Sequence, residues 1–505
     1  MTARTLMVMG SMSSVGKSLL VTALGRIFAR RGVRVAPFKA QNLSNNAAVC
    51  RDGGEIGRAQ ALQALACGIA PTVDMNPVLL KPEADTGVQV VVLGRPWQPS
   101  PARDADETKA ELWRQVTAAL DRVRGGHDLV LIEGAGSAAE LNLRAADIVN
   151  FAIARYANAP VLLAGDIDRG GIFAQLLGTL SLLEPEERAL VRGFVVNKFR
   201  GDPALFADGV RILEERGGVP VLGVMPYLGD LILPDEDAVS IESAGSGTRA
   251  RAGELDVAVV ALPRIANFDD FDALKAEPRV RLRYVHGLAE WGQPDAVIVP
   301  GTKSTLADLA WLRATGLADA VQGFAATGGA VVGICGGYQM LGRRISDPHH
   351  VESRGDTSAD GLGLLPTETV FDANKTTHQA TATIVDGPGW LRALLGETVR
   401  GYEIHMGATQ GGAAWLRIDA RGAQVVAVPD GAVSPDARIW GTYLHGLFAN
   451  DSFRHAWLES LGWMRPAEAL AQDAVLSKSI DDLADAVAAA LDLQMLDQII
   501  WGERA

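Results

Sequence analysis

Residues 328–342 read Gly-Gly-Ala-Val-Val-Gly-Ile-Cys-Gly-Gly-Tyr-Gln-Met-Leu-Gly, a short apolar run that stops at one cysteine wrapped in glycines. The pattern predicts a strand, a sharp turn and a helix. That order suits a parallel sheet covered by helices, with Cys335 at the sheet's C-terminal edge. There the N-terminus of the next helix favours thiolate over thiol. Gly336 and Gly337 let the chain turn back tightly and leave backbone N–H groups to face an oxyanion. Most free cysteines are small buried core residues. A core strand has no use for so much permissive backbone beside its thiol, so the pattern favours a nucleophile.

A thiolate nucleophile needs a base, and Trp440-Gly441-Thr442-Tyr443-Leu444-His445-Gly446 supplies one. His445 follows an apolar-aromatic strand and precedes a glycine, where an imidazole can be held over a sheet edge. Upstream, Ala296-Val297-Ile298-Val299-Pro300-Gly301 is another strand running into a glycine turn, able to give a second oxyanion N–H from around Gly301. Over roughly residues 255–448 this constellation resembles the class I glutamine amidotransferases. The resemblance implies that the cysteine attacks the side-chain amide of L-glutamine, forms a thioester and releases ammonia. In the commoner members a glutamate two residues after the histidine accepts its other N–H, as carboxylates do in hydrolytic triads. Here that position is Leu447. A Cys335–His445 dyad is therefore expected, with neither Glu403 nor Glu368, the nearest carboxylates by strand-end position, essential as a charge partner.

Composition narrows the rest. At 505 residues the chain is too long for one core and should hold at least two α/β domains. A net charge of −13 and no basic stripe argue against a nucleic-acid partner. Cys50, Cys67 and Cys335 are an odd count that gives no disulfide framework and points to a reducing cytoplasm. The strand after Arg4 is too short for a signal segment, and no membrane span is expected. A homo-oligomer is compatible with all of this.

Near the N-terminus, Thr5-Leu6-Met7-Val8-Met9 predicts a strand, followed by a glycine-rich loop from Gly10 to Gly16, then Lys17, Ser18 and a helix. Backbone N–H groups and the helix N-terminus can cradle phosphates, with Lys17 on the terminal phosphoryl oxygens and the Ser18 hydroxyl on Mg²⁺. The expected cofactors are ATP and Mg²⁺. Five residues separate the two glycines where the usual loop has four, a spacing that resembles dethiobiotin synthetase and its relatives. The second strand delivers Lys39 to the same edge, with the amides of Gln41, Asn42, Asn45 and Asn46 after it. Asp52 and Glu55, before a long helix, are both candidates for the Mg²⁺ side.

Lys-x-Gln-Asn at Lys39, Ser-Asn-Asn at Ser44 and Asp-Gly-Gly-Glu-Ile-Gly-Arg-Ala-Gln at Asp52 together resemble the cobyric acid synthase family, glutamine-dependent amidases of the corrin ring. The resemblance extends to Leu129-Val130-Leu131-Ile132-Glu133, which would bring Glu133 to the metal, to Asn197-Lys198, of which Asn197 would lie near the adenine, and to Gly401-Tyr402-Glu403-Ile404-His405. One departure is Ser14-Val15, where an acidic residue is expected before the loop's second glycine. The implied activity is amidation of four side-chain carboxylates (b, d, e, g) of adenosylcobyrinic acid a,c-diamide. Cobyrinic acid a,c-diamide synthase is the close rival. A ParA/MinD-type positioning ATPase is the rival from another class, and it has no thiol half. The expected architecture is two doubly wound parallel-sheet α/β domains: a P-loop domain at 1–235, a polar linker at 236–254, an amidotransferase domain at 255–450, and helices at 451–505 packed on the amidotransferase domain.

Overall fold

The structure, a computed structural model, describes residues 2–82, 87–98, 105–229, 231, 233–234, 253–352, 357–466 and 471–502. All but the last two residues of the expected linker lie outside the described residues.

The first sheet has six parallel strands in the spatial order Val221–Pro226, Val191–Phe199, Val161–Asp166, Arg4–Gly10, Leu129–Glu133, Val35–Phe38. Its central strands are apolar and buried throughout because helices cover both faces. Arg4–Gly10 sits in the middle, and the chain leaves it toward one edge and later returns on its other side. Such a reversal opens a crevice at the strand's C-terminal end, and the glycine loop runs into it.

The second parallel sheet orders Val280–Val285, Leu255–Val260, Ala296–Val299, Ala330–Ile334 and Ile439–Thr442, closed by the short antiparallel Ala432–Val433. Between its last two parallel strands the chain inserts an antiparallel layer built on the long pair Glu368–Ile384 and Thr398–Gln410, extended by Leu416–Arg421 and Gln424–Asp430. This layer did not emerge from the sequence pattern. It carries the segment around Tyr402 to the nucleophile's edge of the parallel sheet, where Tyr402 and His445 exchange backbone hydrogen bonds.

The C-terminal helices correct the expectation that they pack on the amidotransferase domain. Asp451–Ser460 does so, burying Phe453 and Trp457 in that core. Gln472–Ala490 and Leu493–Trp501 instead return to the first domain, where Leu483, Val487 and Leu491 join Leu20 and Leu24 of the helix Lys17–Arg30. Arg26 and Arg30 pair with Asp481 at 2.6 Å, and Arg31 pairs with Asp497 at 2.6 Å. Helical spacing shows which face of such a helix is apolar, but not which partner completes it. Among the described residues, no helix is long and apolar enough to cross a membrane.

The two domains also meet through the hairpin Ala47–Val49 and Glu55–Gly57, which rests on the antiparallel layer. Gln379 Nε2 donates to Val49 O at 2.6 Å across this contact.

Candidate active site

Cys335 joins the strand Ala330–Ile334 to the helix Gly336–Leu341 with φ at 50°. For a residue with a side chain that backbone costs roughly 1–3 kcal/mol and persists only where its surroundings over-determine it. They do so here through Gly337, where a Cβ would fall 1.8 Å from Val299 O, so that only glycine lets the turn press against the neighbouring strand end. Cys335 is thereby presented at the sheet edge, where it lines one cavity with His445 and its Sγ donates to Ile404 O at 3.5 Å.

His445 Nδ1 donates to Asp270 Oδ2 at 2.7 Å, and Asp270 Oδ1 accepts from Gly446 N at 2.7 Å. The imidazole also stacks on Tyr402, with ring centroids 5.2 Å apart and planes 13° from parallel. Burial opposes charge on His445, but the Asp270 carboxylate and Cys335 outweigh it and lift its pKa to about 10. An imidazolium held beside a sulfur favours the thiolate partner. The expected dyad is therefore corrected to Cys335, His445 and Asp270. Glu403 is engaged elsewhere: it accepts from Arg421 Nε and Nη2 at 2.8 Å and lies 3.4 Å from His405 Nε2. Glu368 is exposed.

A cavity of about 70 Å³ opens at this group, and Gly301 and Gly336 line it with Cys335 and His445. A Cβ on Gly301 would lie 3.1 Å from the His445 ring and 3.7 Å from Cys335 Cβ, so the glycine turn lies against both side chains. Lys81, Lys303, Lys375 and Glu352 bring charge to the same cavity. Glu352 accepts from Thr305 Oγ1 at 3.1 Å and from Leu306 N at 3.3 Å, and burial pushes its pKa up to about 7. Burial pulls Lys375 down to about 8 against the opposing effect of Glu55. Burial pushes Cys50 and Cys67 up to about 12, leaving both protonated at neutral pH.

At the first sheet's edge, Gly16 has φ at 95°, and a Cβ on it would strike Asn197 Nδ2 at 2.3 Å. Lys17 Nζ donates to Gly136 O at 2.9 Å and Met12 O at 3.2 Å, arching back over its own loop from Gly10. Ser18 Oγ donates to Glu133 Oε1 at 2.9 Å, Lys39 Nζ to the same oxygen at 2.8 Å, and Gln63 Nε2 to Glu133 Oε2 at 2.5 Å. Glu133 is fully buried. A hydroxyl and one carboxylate, all oxygen, fit the protein's share of a Mg²⁺ shell completed by phosphate and water. Asn197 Nδ2 donates to Val15 O at 2.7 Å and so braces the phosphate loop.

The structure does not bring Asp52 or Glu55 to this loop, which corrects both as metal candidates. Asp52 is exposed in the turn of the interdomain hairpin. Glu55 is fully buried between Lys81, at 2.7 Å, and Lys375. Those two lysines hold its pKa down at about 2 although burial works the other way. A buried carboxylate neutralised by two ammonium groups is already paired and is not placed to meet a cation at the phosphate loop.

Sequence reasoning missed Asp270 and Tyr402 as neighbours of His445. Asp270 lies 175 residues before the histidine, on the turn Phe268–Phe271 beyond the strand Leu255–Val260. The available signal was the acidic cluster Asp269-Asp270-Phe271-Asp272 at a sheet's C-terminal edge.

A phosphate loop whose Ser18 hydroxyl meets the buried Glu133 carboxylate, joined in one chain to a Cys-His-Asp group on a class I fold, defines a glutamine-hydrolysing, ATP-using amidoligase. Residues 6–239 match the CobQ/CobB/MinD/ParA nucleotide binding domain, and residues 256–453 match the CobB/CobQ-like glutamine amidotransferase domain. Cobyric acid synthase of Chloroflexus aurantiacus is 56% identical over 504 residues, covering 99% of this chain and 100% of that protein. Those of Roseiflexus castenholzii and Sorangium cellulosum are 55% and 52% identical, over 97% and 100% of this chain and 98% and 100% of theirs. The chain belongs to the cobyric acid synthase family.

Proposed function

We propose that the chain amidates the b, d, e and g carboxylates of adenosylcobyrinic acid a,c-diamide in the cytoplasm, with ATP and Mg²⁺ at the first domain and L-glutamine at the second. The observation that carries this reading is the coexistence of the Cys335–His445–Asp270 group with the Lys17–Ser18–Glu133 group in one chain. A cavity of about 1540 Å³ extends from the phosphate loop past Asn45 and Asp147 to Pro263 and Phe268 of the second domain. Ordinary small-molecule sites span roughly 300–1,000 Å³, so this one has room for a nucleotide beside a large second substrate.

At the second domain, Cys335 sulfur attacks the glutamine amide carbon, and His445 gives its proton to the departing nitrogen, which leaves as ammonia. Water then cleaves the thioester to glutamate with His445 as base. At the first domain a substrate carboxylate oxygen attacks the γ-phosphorus of ATP, ADP leaves, and ammonia displaces phosphate from the acyl carbon to give the amide. Lys17 neutralises charge on the transferred phosphoryl group, while Ser18 and Glu133 would hold Mg²⁺, which when bound screens the phosphate oxygens. A carboxylate is a poor electrophile and ammonia is mostly ammonium at neutral pH. Each half removes one of these obstacles.

Mass spectrometry of the corrinoid pool during turnover tests the assignment: four successive carboxyl-to-amide conversions starting from the a,c-diamide are expected. Inertness toward the diamide together with conversion of cobyrinic acid into it would select the rival synthase. For the phosphate loop, Lys17→Ala is expected to lower amidation roughly 10³-fold with either glutamine or ammonium as nitrogen source. Ordinary ammonium-driven turnover in that variant would remove the loop from the chemistry.

The charged lining of the smaller cavity suits an amino-acid head, with Glu352 facing the α-ammonium and the lysines the α-carboxylate. Glu352→Gln is expected to raise the KM for glutamine about 10- to 100-fold, the worth of one charge-assisted hydrogen bond, with kcat within a few-fold. An unchanged KM would place the α-amino group elsewhere.

A further inference from the structure

Arg58 begins the helix Arg58–Ala66 of the ATP-binding domain, yet its guanidinium lies among glutaminase residues. Its Nη2 donates to Tyr402 Oη at 3.1 Å, its charge pairs with Asp269, and its guanidinium carbon is 5.6 Å from the Tyr402 ring centroid. The Arg58 side chain is 20% exposed and that of Asp269 9%. Both partners stand directly behind the catalytic imidazole. Tyr402 stacks on the His445 ring and is bridged to His445 through the backbone in both directions. Asp269 precedes Asp270, the acceptor for His445 Nδ1.

Two adjacent carboxylates withdrawn from water repel one another unless a cation lies between them and the low-dielectric interior. His445 provides one for Asp270 when protonated. For Asp269 it is Arg58: burial pushes the Asp269 pKa up, Arg58 opposes it and Asp270 adds to the rise, and the balance stands at about 6. The charged and titratable groups facing this point are Arg58 from the first domain, Asp269 and Asp270 from the turn Phe268–Phe271, Tyr402 from the strand Thr398–Gln410, and His445 with Cys335 beyond it. The main chain at Arg58 is tied toward the second domain as well: the Arg58 backbone N–H donates to Asn46 O at 3.1 Å, and the next residue, Ala47, donates its N–H to Asn267 Oδ1 at 3.2 Å.

We infer that Arg58 is a positioning residue of the glutaminase supplied by the ATP-binding domain, holding Tyr402 and the Asp269–Asp270 pair in the arrangement that fixes the His445 imidazole. Ammonia release then depends on the docked first domain, which confines it to molecules able to use the ammonia. This inference rests on the glutaminase reading of Cys335 and His445.

The test uses the full chain and three readouts: glutaminase kcat, KM for glutamine, and amidation from ammonium. In Arg58→Gln, glutaminase kcat is expected to fall on the order of 10²-fold, the effect of misplacing a catalytic group by about 1 Å. KM should stay within threefold, and ammonium-driven amidation should persist. Arg58→Lys keeps the charge but cannot serve Tyr402 and Asp269 together, and should recover about tenfold of the loss. A kcat within threefold of the parent in Arg58→Gln overturns the inference. So does equal loss in the Gln and Lys variants, or a fall in ammonium-driven amidation as large as that in the glutaminase, since either marks a merely structural contact. If Arg58→Gln does not fold, Tyr402→Phe decides by removing only the hydroxyl that receives Arg58: a kcat loss of fivefold or more at constant KM supports the inference, and an unchanged kcat overturns it. Cys335→Ala measured alongside separates the two readings, because glutaminase surviving that change would condemn the site itself whatever Arg58 does.

Discussion

Cys335→Ala is expected to lower glutamine-dependent amidation by about 10⁴-fold or more, the scale on which removal of a covalent nucleophile acts. Amidation driven by high ammonium should remain within a few-fold of the parent. The asymmetry follows from geometry. Cys335, His445 and Asp270 stand at the edge of the second sheet, while Lys17, Ser18 and Glu133 stand at the edge of the first, and no group is common to both. Free ammonia bypasses the thiol and nothing else. Cys50→Ala and Cys67→Ala supply the control, since both thiols are buried and their pKa values are pushed up to about 12. Loss of both nitrogen sources in a folded Cys335→Ala protein would overturn the division of labour between the two domains.

The parts of this molecule that were legible in its sequence are those that local chemistry dictates. An apolar run ending in Cys335 between glycines can do little except turn at a sheet edge, and the loop from Gly10 to Ser18 is a strand-to-helix turn at the same kind of edge. Each of these two turns is contiguous in the chain, so its residues announce one another. What stayed hidden depends on distant pairing. Asp270 reaches His445 only because Leu255–Val260 and Ile439–Thr442 lie in one sheet with the intervening strands between them. Glu55 sits beside acidic and glycine residues that suggest a metal loop, yet folding the hairpin onto the antiparallel layer hands it to Lys375 from the other domain. The tail shows the same limit: Ile480, Leu483 and Val487 mark an apolar face, but the helix Lys17–Arg30 that covers much of it lies at the opposite end of the chain.

Asp270→Asn tests the residue that the sequence concealed, and its expected effect is a glutaminase kcat lower by ~10⁴-fold, the loss seen when an orienting carboxylate of a triad becomes an amide. Asparagine keeps the shape but can offer His445 Nδ1 an N–H, which turns the imidazole to the wrong tautomer. The charge matters as much. With Asp270 present the imidazolium persists to about pH 10 although burial opposes it. Without the carboxylate, burial dominates and the His445 pKa falls, so the alkaline limb of the residual glutaminase profile moves to lower pH. Stability moves with it. Because the folded-state pKa of His445 is raised above its ordinary value near 6.5, the pair's contribution is fully present below that pH and is lost as pH rises through about 10. The parent should therefore lose part of its advantage over Asp270→Asn in thermal unfolding between about pH 6.5 and 10. Glu403→Gln supplies the contrast: its carboxylate is committed to Arg421 and His405, and the change should leave glutaminase kcat within about tenfold. A 10⁴-fold loss in Glu403→Gln with little change in Asp270→Asn would transfer the orienting role from the turn at Asp270 to the antiparallel layer.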